Sequence, residues 1–114
     1  MNLNDWAKEI HKNAVDHGWW DDEPEFPTII ALCHSELSEA LEEYRNRQPN
    51  FSILRGDVPA KDDGKPVGVA VEMADCLIRI LDWFGGEGVD VEFVLQAKHD
   101  FNRTREYRHG GKRV

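Results

Sequence analysis

Four stretches of this chain repeat apolar residues with a helical period. The first covers residues 4–17, where Trp6, Ile10 and Ala14 fall four apart and Gly18 supplies a stop. An acidic connector with two prolines, GWWDDEPEFP, follows. The second stretch spans 27–47. Pro27 suits a first turn, and Ile29, Ile30, Cys33, Leu37, Ala40, Leu41 and Tyr44 keep the period with no competing strand pattern. Residues 48–66, QPNFSILRGDVPAKDDGKP, hold three prolines and two glycines and lose the period. A connector this long is uncommon inside a compact domain and is often functional or mobile. Within it, FSIL suits a short strand or a turn equally. The third helix is predicted over 67–84, stopped by Gly85 and Gly86, and the fourth over 90–107, with Asp90 as its N-cap. Residues 108–114 read as an irregular tail. The pattern predicts one all-α domain over 1–114, a four-helix bundle.

The second and third helices carry acids beside their apolar runs: Glu36 and Glu39 in HSELSEAL, Glu72 and Asp75 in VEMADCLI. Residues three apart share one side of a helix. On a helical wheel, Leu32, Glu36, Glu39 and Glu43 form a file along the edge of the apolar stripe, with Glu36 at the border of the core. On the third helix, Glu72, Asp75, Arg79 and Asp82 form a polar strip on an otherwise largely apolar circumference. A single acid pair three apart is ordinarily a solvated face. Here two such pairs sit on the two most apolar helices, no Lys lies within either, and Arg79 can neutralise only one acid. Carboxylates gathered without a cation raise each other's pKa and resist ionisation. A divalent metal removes that cost, and oxygen-only ligands suit Mg²⁺ or Mn²⁺ rather than zinc.

The fourth helix changes character along its length. Val94 and Leu95 lie on one stripe, which one turn later is occupied by Lys98, then Asn102 and Arg105. If that stripe faces inward, an unpaired charge there would be expensive, so something negative should meet these donors. The acid clusters or the phosphates of a ligand would serve; a salt-bridged helix end is the plainer alternative.

Composition narrows the classes. At 114 residues the chain makes one domain with a small core, which a subunit partner would help to complete. A net charge of −8 argues against binding a nucleic-acid polymer through its phosphates. The charge is uneven: six of the 14 Lys and Arg residues lie in positions 98–114. Cys33 and Cys76 lack CxxC spacing and read as buried thiols of a reducing cytosol. There is no signal-peptide pattern, and no run approaches the roughly 18 apolar residues of a membrane span. A cytoplasmic protein with no membrane partner is expected.

The pairs Glu36-x-x-Glu39 and Glu72-x-x-Asp75 resemble the ExxE…ExxD signature of MazG-like nucleotide pyrophosphohydrolases, the all-α NTP pyrophosphatase superfamily. EMADCLIRIL and the later Lys98, Asn102 and Arg105 resemble that family's closing segments, so the similarity runs from about Trp6 to Tyr107. The resemblance implies that fold, and Mg²⁺-dependent hydrolysis of a (deoxy)nucleoside triphosphate to the monophosphate and pyrophosphate, a nucleotide-pool housekeeping activity. Glu36, Glu39, Glu72 and Asp75 would bind Mg²⁺, with Mn²⁺ as a substitute. Water would attack the α-phosphorus, with Glu39, beside Glu36, as proton acceptor. Lys98, Asn102 and Arg105 would hold phosphate. His11 and Trp20 stand where relatives surround the base; a surface histidine and a core or interface tryptophan are the plainer alternatives. A homodimer or a dimer of dimers, with a partly shared site, is implied. Two departures matter. Thirty-two residues separate Glu39 from Glu72, a link from which Arg55, Lys61 or Lys65 is placed to reach phosphate, and the tail offers Arg108 or Lys112 for the same purpose. Arg79 stands where some relatives carry an aromatic, so base preference stays open. Alternatives are a phosphoribosyl-ATP pyrophosphatase-like enzyme and a non-catalytic nucleotide-binding helical dimer.

Overall fold

The computed structural model describes residues 1–46, 58 and 60–105. Within them the chain forms four helices: α1 (Leu3–Asp16), α2 (Phe26–Arg45), α3 (Val69–Glu87) and α4 (Val91–Arg103). Residues 61–65 make a tight turn, closed by Gly64 N–H donating to the Lys61 carbonyl at 2.8 Å and bracketed by an isolated Ala60–Pro66 bridge. FSIL and most of the long connector, and the tail from Glu106 onward, lie outside the described residues. No described helix is long and apolar enough to cross a membrane.

Local chemistry explains the ends. Asn2 caps α1 and exchanges hydrogen bonds with Asp5, each side chain accepting from the other's backbone N–H at 2.8 and 3.1 Å. Gly18 takes up φ 84° beyond the helix. The third helix departs from the expectation. It begins two residues later, after Gly68, and runs through Gly85 and Gly86 to Glu87, where Gly88 at φ 68° ends it. The glycine pair is a packing device rather than a stop. A Cβ on Gly85 would fall 2.5 Å from the Ala7 carbonyl oxygen, and one on Gly86 would fall 2.7 Å from Trp20 Cη2. The two glycines let α1 and the connector close onto α3.

Helix α3 packs against both α1 and α2, and α4 leans on α1. Ala7, Leu81 and Val91 are buried together, with Leu3, Ile10 and Phe84 against them. Cys33 and Cys76 are buried and free, and burial and then the Cys76 thiol push the Cys33 thiol upward. The start of α4 is fastened to the start of α1. Asn4 accepts from Val91 N–H at 2.8 Å and donates to Asp90 at 2.9 Å, while Glu92 accepts from Leu3 N–H at 2.9 Å. Asp90 also caps its own helix by accepting from Phe93 N–H at 3.0 Å.

Among the described residues the bundle is not closed. Leu37, Leu41 and Tyr44 on α2, Met73 and Leu77 on α3, and Phe93, Leu95 and Phe101 on α4 are exposed. The expected inward stripe of α4 is correspondingly outward here. Of its residues only the first, Val91, is buried, and the side-chain hydrogen bonds that tie it to α1 lie at its start.

Candidate functional site

The acids meet across the seam between α2 and α3. Glu36, Glu39 and Glu72 each offer a carboxylate oxygen, and these oxygens lie within 4.8 Å of one another. The i,i+3 spacing on α2 turns Glu36 and Glu39 to one side, and the first turn of α3 brings up Glu72. Glu36 is buried, Glu72 half-buried and Glu39 exposed. Asp75, one turn past Glu72, falls outside this three-oxygen set. Arg79 Nε donates to Glu36 Oε1 at 2.8 Å.

Electrostatics separate these carboxyls. Burial, a hydrogen bond shared with Glu39, and the charges of Glu39, Asp75 and Glu36 push Glu72 up to about 7. Burial also acts to raise Glu36, but the Arg79 hydrogen bond and charge, with hydrogen bonds shared with Glu39 and Glu72, hold it below its ordinary range. Hard oxygen donors, like charge and one reluctant acid are the donor chemistry that a divalent cation such as Mg²⁺ fits.

Glu36 also opens onto a cleft of ≈ 580 Å³ between α1, the connector, α2 and α3. Its walls are apolar at Trp19, Trp20, Ile29, Leu32 and Ile78, and polar at Glu36, Asp75, Arg79 and Asp82. The last three follow one face of α3, spanning about 10 Å at 1.5 Å per residue. The cleft therefore has an acidic end, shared with the carboxylate cluster, and an aromatic end.

Trp20 forms part of the aromatic wall, and its Nε1–H donates to both Asp82 oxygens at 3.0 and 3.1 Å. His11 sits behind it, edge-on with ring centroids 4.8 Å apart, its Nδ1 2.9 Å from Asp82 Oδ1. His11 is not among the residues lining the cleft. No family profile, characterised protein or solved structure matches this chain.

The structure thus brings together three of the four expected metal ligands, places Asp75 on the adjoining cleft wall, and gives Trp20 a place in that wall. It does not bring Lys98, Asn102 or Arg105 to the cleft within one chain: all three are exposed and none lines it. Lys98 Nζ and the Arg105 guanidinium instead lie 5.2 and 5.8 Å from the Phe101 ring centroid. Lys61 and Lys65 are exposed, while Arg55, Arg108 and Lys112 fall outside the described residues. Sequence reasoning assigned no site role to Arg79 or Asp82. The available signal was their place on the same helical strip as Glu72 and Asp75.

Proposed function

We propose that the chain is a Mg²⁺-dependent nucleoside triphosphate pyrophosphohydrolase of the MazG-like, all-α kind, releasing a monophosphate and pyrophosphate and serving nucleotide-pool housekeeping. One observation carries this reading: Glu36 belongs both to the three-carboxylate cluster and to an aromatic-walled cleft. A ligand with an anionic end and a flat ring would reach both features over about 10 Å. Glu36, Glu39 and Glu72 would hold the cation, with Asp75 available beside them. Bound Mg²⁺ would supply positive charge to the phosphate oxygens, or Mn²⁺ in its place.

Glu39 suits the expected role of proton acceptor. It is exposed to water, whereas Glu36 is buried and its oxygen is engaged by Arg79. As water attacks the α-phosphorus, Glu39 takes a water proton while the bond from that phosphorus to the bridging oxygen breaks and pyrophosphate leaves. Lys98, Asn102 and Arg105 are suited to phosphate oxygens but lie outside their own chain's cleft. In this reading they serve the cleft of a second subunit, in a homodimer or a dimer of dimers that also covers the exposed apolar residues of α2, α3 and α4.

The test is a panel of ribo- and deoxynucleoside triphosphates, with phosphoribosyl-ATP included, assayed for pyrophosphate release with Mg²⁺. Turnover of one or more nucleoside triphosphates is expected, and no turnover of any at high protein concentration defeats the reading. Turnover of phosphoribosyl-ATP alone would move the substrate to that class. The Arg79–Glu36 pair favours a second reading, since it already neutralises one ligand internally: a non-catalytic nucleotide-binding dimer, marked by tight nucleotide binding without product.

A further inference from the structure

We propose that Asp82 is the positioning residue of the aromatic end, and that His11 acts through it, holding Trp20 as a fixed platform for the ring of a nucleotide. The inference rests on the nucleotide reading above and assigns a role to a residue which that reading leaves unused.

Asp82 is a half-buried carboxylate with three short contacts, all to the two aromatic side chains of this end. Both of its oxygens accept from Trp20 Nε1–H, and Oδ1 also meets His11 Nδ1. Since a carboxylate only accepts, His11 Nδ1 carries the hydrogen in this contact. The indole is held at its other edge as well. Trp20 Cη2 and Cζ2 lie against Gly86, where a Cβ would come within 2.7 and 3.0 Å of them. His11 closes the back, edge-on to the indole, and its Cε1 would lie 3.1 Å from the same Cβ. The N–H edge, the benzo edge and the rear of Trp20 are thus all fixed before any ligand arrives.

An indole immobilised in advance loses little freedom when a ring stacks on it, which is how preorganisation favours binding. The chamber beside Trp20 suits a flat ring, being lined by Trp19, Ile29, Leu32 and Ile78. Asp82 lies seven residues after Asp75 and three after Arg79 on the same face of α3. The helix therefore sets the distance between ring platform and acidic end, and Asp82 fixes the platform's orientation. His11, placed behind the platform, supports Trp20 rather than touching the ring.

The test compares two probes by calorimetry in Mg²⁺: a non-hydrolysable α,β-methylene nucleoside triphosphate, which has a ring, and inorganic tripolyphosphate, which has none. Asp82→Asn keeps the size but turns an amide N–H₂ toward one of the two donors. It is expected to weaken the nucleotide analogue roughly 10-fold and tripolyphosphate less than about 2-fold. Trp20→Phe removes the N–H that Asp82 holds. Adding Asp82→Asn to it should cost the analogue less than about 2-fold more, because the two changes act through one contact. Gly86→Ala, whose added Cβ would crowd the indole and the His11 ring while the Asp82 side chain is left as it is, should reproduce the selective loss. Thermal melting separates these effects from unfolding. Unchanged analogue affinity in folded Asp82→Asn, equal weakening of both probes, or full additivity with Trp20→Phe overturns the positioning role. Wild-type protein that binds neither probe would instead sink the nucleotide reading itself.

Discussion

The two ends of the cleft are built on opposite principles. At the aromatic end the Asp82 carboxylate is partnered, facing the Trp20 N–H and His11, and Gly86 receives the indole edge. At the acidic end, carboxylate oxygens from Glu36, Glu39 and Glu72 crowd together with one guanidinium, from Arg79, hydrogen-bonded to Glu36. The first arrangement is complete as it stands and behaves as scaffold. The second holds like charges together, and the strain surfaces at Glu72, pushed up to about 7. On the proposed reading, a bound cation relieves that crowding.

The contrast is broken most severely by removing charge from the acidic end. Glu72→Gln or Glu39→Gln should lower pyrophosphate release by roughly 10³-fold, while leaving the metal-free protein at least as stable as wild type, because a repulsion has gone. A coupled loss of stability would mean that the acids hold the fold rather than a ligand.

Next in size is Arg79. Changing it to Gln leaves Glu36 buried and unpaired, at a cost of about 1–2 kcal/mol for a pair still partly open to solvent. The metal-free melting temperature should fall by roughly 5–10 °C. Mg²⁺ should raise it more in the variant than in wild type, since the added cation takes over the role of Arg79.

The pH dependence of stability sharpens the same point. Glu72 has an ordinary value of 4.5 and is raised in the fold to about 7. The folded chain therefore holds a proton that the unfolded chain has lost between those values. The contribution of Glu72 is intact below about pH 4.5 and disappears as pH rises through about 7. In EDTA, melting temperature should decline by roughly 5 °C between pH 5 and pH 8, a slope that Glu72→Gln flattens. Mg²⁺ should stabilise more at pH 8, where the carboxylate it needs is ionised.

Much of this architecture was legible in the chain. The helical period of Ile29 through Tyr44, the Asp90 cap and the acid spacing all carried over, because each depends on residues within one or two turns. Gly85 and Gly86 misled because a glycine pair looks the same whether it stops a helix or admits a neighbour, and the neighbours, Ala7 at Gly85 and Trp20 at Gly86, lie far away in sequence. The α4 stripe misled for a related reason. Periodicity shows that Val94, Leu95 and Lys98 share a face but not whether anything covers it. Asp82 was visible only as one more acid on a strip; its partners His11 and Trp20 stand 71 and 62 residues away.

The smallest expected effects concern α4. Lys98→Ala or Arg105→Ala should raise KM by about 10-fold and leave the melting temperature almost unchanged, since both side chains are exposed. Mixing inactive Glu72→Gln protein with Lys98→Ala protein should recover activity if donors and acids meet across subunits. No recovery after confirmed subunit exchange would return α4 to a purely structural role.

The most direct test of the central claim is a Mn²⁺ titration followed by electron paramagnetic resonance, on wild type and on Glu72→Gln. Wild type should take up Mn²⁺ saturably and release it to Mg²⁺, while the variant binds much more weakly with its helical content unchanged. Equal, unsaturable uptake by both proteins would contradict the account, leaving Glu36, Glu39 and Glu72 as crowded but ordinary acids at a helix seam.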